Sequence, residues 1–182
     1  MTSAASLTTA PLSRRVFAML YDGLLLLALL FIAAAIPLLF TGGEAVQGHN
    51  LIMSIYIISV SFVFFGWFWT HGGQTLGMRA WRLKLVQENG AAISWILALL
   101  RFLSGLPGWL VFIIGVAFYF DPALSLPGTL HLLQHMPAWS VMIIGIIWLT
   151  LDNWPNGWRA RLTHTRVILL PKQLVSTQTS EQ

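Results

Sequence analysis

Four stretches of this chain are almost free of polar positions, and the segments between them change to a short alternating pattern. Val16 to Phe40 is a run of 25 residues in which Asp22 is the only charge. A helix of that length, rising about 1.5 Å per residue, crosses a hydrocarbon core of roughly 30 Å. Leu51 to Thr70 predicts a second span, closing on Gly66-Trp67-Phe68-Trp69, an aromatic belt suited to a membrane interface. Residues 92–120 read in two ways: one kinked, tilted helix, or an interfacial helix over Ile93–Leu103 followed by a short span over Trp109–Phe120. Gly105-Leu106-Pro107-Gly108 marks the interruption in either case. Residues 137–152 give the last span, ending at Asp152.

The alternation lies elsewhere. Trp81, Leu83 and Leu85 interleave with Arg82 and Lys84, and Thr165, Val167 and Leu169 interleave with His164, Arg166 and Ile168. Period two is the strand signal. An isolated short strand leaves its backbone groups unpaired, so residues 80–87 and 163–169 are predicted to pair as a two-stranded ribbon. Before the first strand, His71-Gly72-Gly73-Gln74-Thr75-Leu76-Gly77 lacks the Gly-Lys-Ser/Thr ending of a phosphate loop and reads as a tight turn.

Charge orients these spans. Nine of the ten Lys and Arg residues fall before the first span, between the second and third, or after the fourth. By the positive-inside rule both termini are then cytoplasmic. The tenth, Arg101, lies within the third apolar region. Only 9% of residues are charged, against about 25% in soluble domains. A pI near 10.1 therefore reports topology control rather than nucleic-acid binding. With no cysteine, disulfides, iron–sulfur clusters and thiol catalysis are excluded. The first apolar run is too long for a signal-peptide core and reads as a retained span.

Candidate chemistry is sparse. Arg15, Asp22, Arg101 and Asp152 form a charged intramembrane set of zero net charge, at comparable depths toward one end of the spans. Asp22, on the same helical face as Arg15, reads either as a proton or cation site or as half of a structural ion pair. Arg101, entering from another helix, is the expected closer partner of Asp22, with Asp152 competing for it. His131 and His135, four residues apart, lack a third ligand nearby and read as solvated loop residues. Nothing supplies a nucleophile with a base and an orienting group, so no catalytic residue, metal or cofactor is expected.

Several of these residues recur in one known pattern. Arg15-x-x-Ala18-x-x-x-Asp22, Gly73-Gln74-Thr75-x-Gly77, Arg101, and Trp158-x-x-Arg161-Leu162-x-x-Thr165-Arg166-Val167 resemble, in order, the motifs of the RDD family of small integral membrane proteins. Residues Gly73, Thr75, Gly77, Arg161 and Thr165 are motif positions under that resemblance. The family usually shows His-Asp before Arg-Leu, where this chain has Arg159-Ala160. Asp152 is the nearest carboxylate to the missing aspartate. The resemblance implies transport.

Together these readings predict an all-α membrane protein with four transmembrane helices and both termini cytoplasmic, in a bacterial inner membrane. Residues 1–13 are read as a loose tail, 14–171 as the membrane domain and 172–182 as a polar tail. The expected function is transport of a cation or small solute through a charged cytoplasmic-side cavity. The alternative is a non-catalytic membrane partner that docks another protein. Besides the lipid bilayer, a second copy or another membrane protein is a partner left open, and nucleic acid is not expected.

Overall fold

A computed structural model describes residues 8–40, 51–124, 126, 128–154 and 157–171. The expected loop at 41–50, the polar tail from 172 and the first seven residues lie outside them. Helix α1 runs Leu12–Phe40 and α2 Leu51–His71. A short α3, Leu76–Ala80, leads into β1, Leu83–Gln87. Helix α4 spans Trp95–Phe120, a 3₁₀ segment covers Gly128–His135, and α5 spans Ala138–Asp152. A six-residue α6, Trp158–Thr163, precedes β2, Thr165–Leu169.

Among the described residues three helices, α1, α2 and α4, are long and apolar enough to cross a membrane. Their outer faces are built for lipid: Leu24 is 70% exposed and Phe31 73%, which a water-soluble surface would not sustain as a continuous face. The two readings of residues 92–120 resolve to one helix. The Ser94 hydroxyl caps it by accepting from Leu97 N–H (3.3 Å), and Pro107 is carried inside it. Helix α5 has 15 residues, about 22 Å at 1.5 Å per residue, and is apolar but shorter than the hydrocarbon core. It packs antiparallel on α4 through glycines. A Cβ at Gly115 would meet Met142, and one at Gly145 would meet the backbone of Phe112 at 2.6 Å. Small residues let helix backbones approach where lipid supplies no hydrophobic drive for association.

The expected ribbon forms. β1 and β2 pair antiparallel, with Leu85 opposite Val167 and Leu83 opposite Leu169. Leu83, Leu85, Thr165 and Val167 are buried, as the alternation predicts, and Val86 and Ile168 on the other face are buried too. Both outer edges are covered. Gly73 carbonyl accepts from Leu85 N–H (2.7 Å) beside β1. Beside β2, Ala10 N–H donates to Val167 (3.1 Å) and Leu169 N–H donates to Thr8 (3.0 Å). Residues 8–10, expected within a loose tail, are thus part of the fold, and Ala10 is fully buried. Satisfying an exposed strand edge is the physical reason. The compact core gathers at this end, where Leu83, Leu85 and Val167 meet Ala18, Trp69, Met78, Ala98 and Phe102.

Candidate functional site

Where the spans meet the ribbon, four charged side chains and their partners surround one cavity. Arg15 leaves the first turn of α1 and is almost fully spent on backbone. Its Nε donates to Ala10 O (3.0 Å), Nη2 to Val167 O (3.0 Å) and Nη1 to Asn153 O (3.4 Å). One guanidinium therefore joins the N-terminal segment, β2 and the end of α5.

Asp22 lies two turns further along α1 and is 4% exposed. Its carboxylate accepts from the Thr75 hydroxyl on Oδ2 and from Gly77 N–H on Oδ1 (2.8 Å). Thr75 is also the N-cap of α3, its Oγ1 accepting from Met78 N–H (3.2 Å). Gly77 permits the contact, because a Cβ there would run into Ala18 O and the Asp22 carboxyl. Gly73, at φ +68°, turns the chain, and Gln74 Nε2 donates to Leu83 O (2.6 Å). The glycine-punctuated segment is therefore a latch between α1 and the ribbon. Sequence reasoning read it as a turn alone; its neighbour Asp22, 53 residues away, cannot be seen in local spacing.

Arg101 is 8% exposed and donates once, through Nη1 to Thr165 Oγ1 (2.8 Å), while its guanidinium lies 5.8 Å from the Trp69 ring centre. The expected pairing of Arg101 with Asp22 does not occur, nor does one with Asp152. The Thr75 hydroxyl and Gly77 N–H take the two Asp22 oxygens instead. Among the described residues, neither carboxylate of the set is bonded to an arginine.

Asp152 closes α5, accepting from Trp158 Nε1–H on Oδ1 (2.5 Å), while its buried Oδ2 has no partner among the described residues. The strongest opposite charge acting on it is Arg159. Arg159 was not singled out as a site residue from sequence, yet it is the third guanidinium here. Nε and Nη2 donate to Arg101 O (3.1 and 2.7 Å). Gly105 makes room: a Cβ there would lie 2.9 Å from Arg159 Nη2. Burial pushes the Arg159 guanidinium down to about 10, with Asp152 acting the other way, so it stays cationic at neutral pH. The signal available was its position, at a place where the chain departs from the pattern of its motifs.

The cavity between these groups holds about 80 Å³ and is lined by Arg15, Asp22, Arg101 and Arg159 together with Trp69 and Met78. That is room for several waters. Asp152 stands behind Arg159 rather than on the wall. Of the remaining motif positions, Thr165 is buried under Arg101 and Arg161 is on the exposed face of α6. His131 and His135 face each other at 5.1 Å on the 3₁₀ segment, away from the cavity. Among the described residues no group of three or more metal-ligating side chains occurs.

The family model described as RDD family matches residues 9–159, most of the chain and nearly the whole of the latch and cavity. No curated protein matches this sequence, and no solved structure does.

Proposed function

Because the chain belongs to the RDD family, we propose that it is a non-catalytic membrane transport protein whose solute enters the charged cavity at the ribbon end of the spans. The single observation behind this reading is the cavity wall itself. Among the described residues, buried arginines and a carboxylate border a space with room for several waters without forming ion pairs with one another. Charges inside a membrane domain are costly, by roughly 2.5–3.5 kcal/mol each on insertion scales, and mark solute paths more often than they serve packing. A set arranged purely for stability would neutralise itself by direct contact.

In this reading the ribbon end is cytoplasmic, as the placement of Arg79, Arg82, Lys84, Arg161 and Arg166 supports. Helix α5 completes a fourth crossing in the bacterial inner membrane, assisted by its flanking segments and local thinning of the bilayer. Three or four helices are few for a complete pathway, so a second copy or a partner subunit supplies the rest. The test is flux in proteoliposomes containing the full chain, with labelled small anions and small cations supplied in turn, compared with a cavity-filling Met19→Trp variant. Flux that Met19→Trp suppresses supports the reading. Flux no greater than from protein-free liposomes, for either sign of solute, would refute it and favour the docking role.

A further inference from the structure

We infer that the cavity is a site for a small oxyanion, a carboxylate or phosphate group, held by Arg101 and Arg159 with Arg15 behind them; this rests on the reading that a solute enters the cavity and gives that solute a charge. The reasoning begins with a count of charges. Arg15, Arg101 and Arg159 stand against Asp22 and Asp152, leaving one positive charge in excess. The carboxylates are also poorly placed for a cation. Both oxygens of Asp22 are already occupied by Thr75 and Gly77, and Asp152 does not reach the cavity wall.

Donors, by contrast, remain available. A guanidinium carries five N–H donors, and among the described residues Arg101 makes one side-chain hydrogen bond although it is 8% exposed. A buried cation with most of its donors unspent is unfavourable unless a counter-charge arrives. Two further cations share its surroundings: Arg159, whose Nε and Nη2 hold the Arg101 carbonyl, and Arg15, which lines the same cavity. A cation entering this space would meet three like charges, whereas an oxyanion would meet the largely uncommitted Arg101 guanidinium, a planar fork whose geometry matches two oxygens, and Arg159 Nη1, which is not given to the Arg101 carbonyl. The space, about 80 Å³, suits a group of a few heavy atoms rather than a large solute. That group could arrive on a free anion or as the phosphate of a lipid headgroup, and the experiment separates the two.

The full chain in neutral detergent is titrated with sodium phosphate and sodium acetate against sodium chloride at matched ionic strength. The readouts are the thermal midpoint and equilibrium dialysis of labelled phosphate. Saturable binding that weakens tenfold or more in Arg101→Gln and Arg159→Gln, and is unchanged in the exposed Arg79→Gln, is the expected result. Should Arg101→Gln fail to fold, Arg159→Lys, which keeps charge without the fork, is expected to bind with intermediate weakening. In nanodiscs, phosphatidylglycerol is compared with phosphatidylcholine. Protection by phosphatidylglycerol alone, lost in Arg159→Gln, makes the oxyanion a headgroup; the inference then stands and the transport reading falls. No saturable effect of either anion and no lipid dependence, with sodium chloride protecting better than choline chloride, overturns the inference but leaves a solute cavity. No effect of any of these probes overturns both.

Discussion

Removing the Asp22 carboxylate tests whether the latch, rather than an arginine, is what this intramembrane charge serves. In Asp22→Ala the Thr75 hydroxyl and Gly77 N–H lose their acceptor while remaining buried, Thr75 being 1% exposed. Leaving a buried donor unsatisfied costs about 1–3 kcal/mol, so the two together cost about 2–6 kcal/mol. Part is recovered because a charge no longer needs to be held in a low-dielectric region, which leaves a net loss of at least about 1 kcal/mol. Asp22→Asn keeps Oδ1 as an acceptor for Gly77 N–H, at a loss of about 1 kcal/mol of charge-assisted strength. It also puts a donating Nδ2 where Oδ2 accepted from the Thr75 hydroxyl, so that bond must reverse or be lost, at about 1–3 kcal/mol. The assay is equilibrium unfolding in mixed micelles, run as two double-mutant cycles. Asp22→Ala with Thr75→Val should show a coupling of about 1–2 kcal/mol, whereas Asp22→Ala with Arg101→Gln should be additive within about 0.5 kcal/mol. The reverse pattern, coupling to Arg101 and additivity with Thr75, would refute the latch.

Gly77→Ala should destabilise by more than the roughly 1–3 kcal/mol of ordinary overpacking, because its Cβ meets backbone and carboxylate, while Gly72→Ala, with open space around it, should be silent in the same melt. Leu85 and Val167 sit opposite each other with their N–H and C=O groups turned outward, to Gly73 and Ala10, so they form a non-hydrogen-bonded pair with close side chains. In this cysteine-free chain, Leu85→Cys with Val167→Cys should therefore cross-link on mild oxidation; absence of the bond would mean a different register. Reporter fusions active only outside the cytoplasm should give signal after Ala45 or Leu130 and none after Leu85 or Val175; a signal after Leu85 would reverse the orientation.

What the sequence made legible follows the range of the forces involved. The spans come from unbroken apolar runs and the ribbon strands from period-two alternation, both local properties, and Leu83–Gln87 and Thr165–Leu169 formed where alternation placed them. Their pairing could be foreseen because unpaired backbone has few other outlets. Helices α3 and α6, of five and six residues, are too short to show a period and escaped notice. At the site, Arg15, Asp22 and Arg101 do gather around one cavity, but their partners could not be chosen from charge alone. Opposite charges suggested Arg101 for Asp22, yet a hydroxyl and a backbone N–H from one latch occupy its two oxygens. Electrostatic attraction is not directional, whereas hydrogen bonding is, and inside a membrane domain the second decided the geometry.

The departure at Arg159-Ala160 changes meaning once the fold is known. Read along the chain, the missing aspartate is a lost functional group. In the structure the neighbouring Arg159 reaches across to α4, holds the Arg101 carbonyl and adds a third guanidinium to the cavity wall. A carboxylate at position 160 would sit beside that guanidinium in sequence and balance its charge; alanine leaves it unbalanced. Asp152 supplies part of the compensation from behind, with one oxygen committed to Trp158 and the other buried without a partner among the described residues. The latch is held by Asp22, Thr75 and Gly77, and the cavity beside it is lined by three guanidiniums and one carboxylate. Under the oxyanion inference, stability rests on the first set and ligand charge on Arg101 and Arg159. Variants of the first set should unfold the protein without changing which ions it prefers, and Arg159→Lys should weaken oxyanion binding with the fold retained.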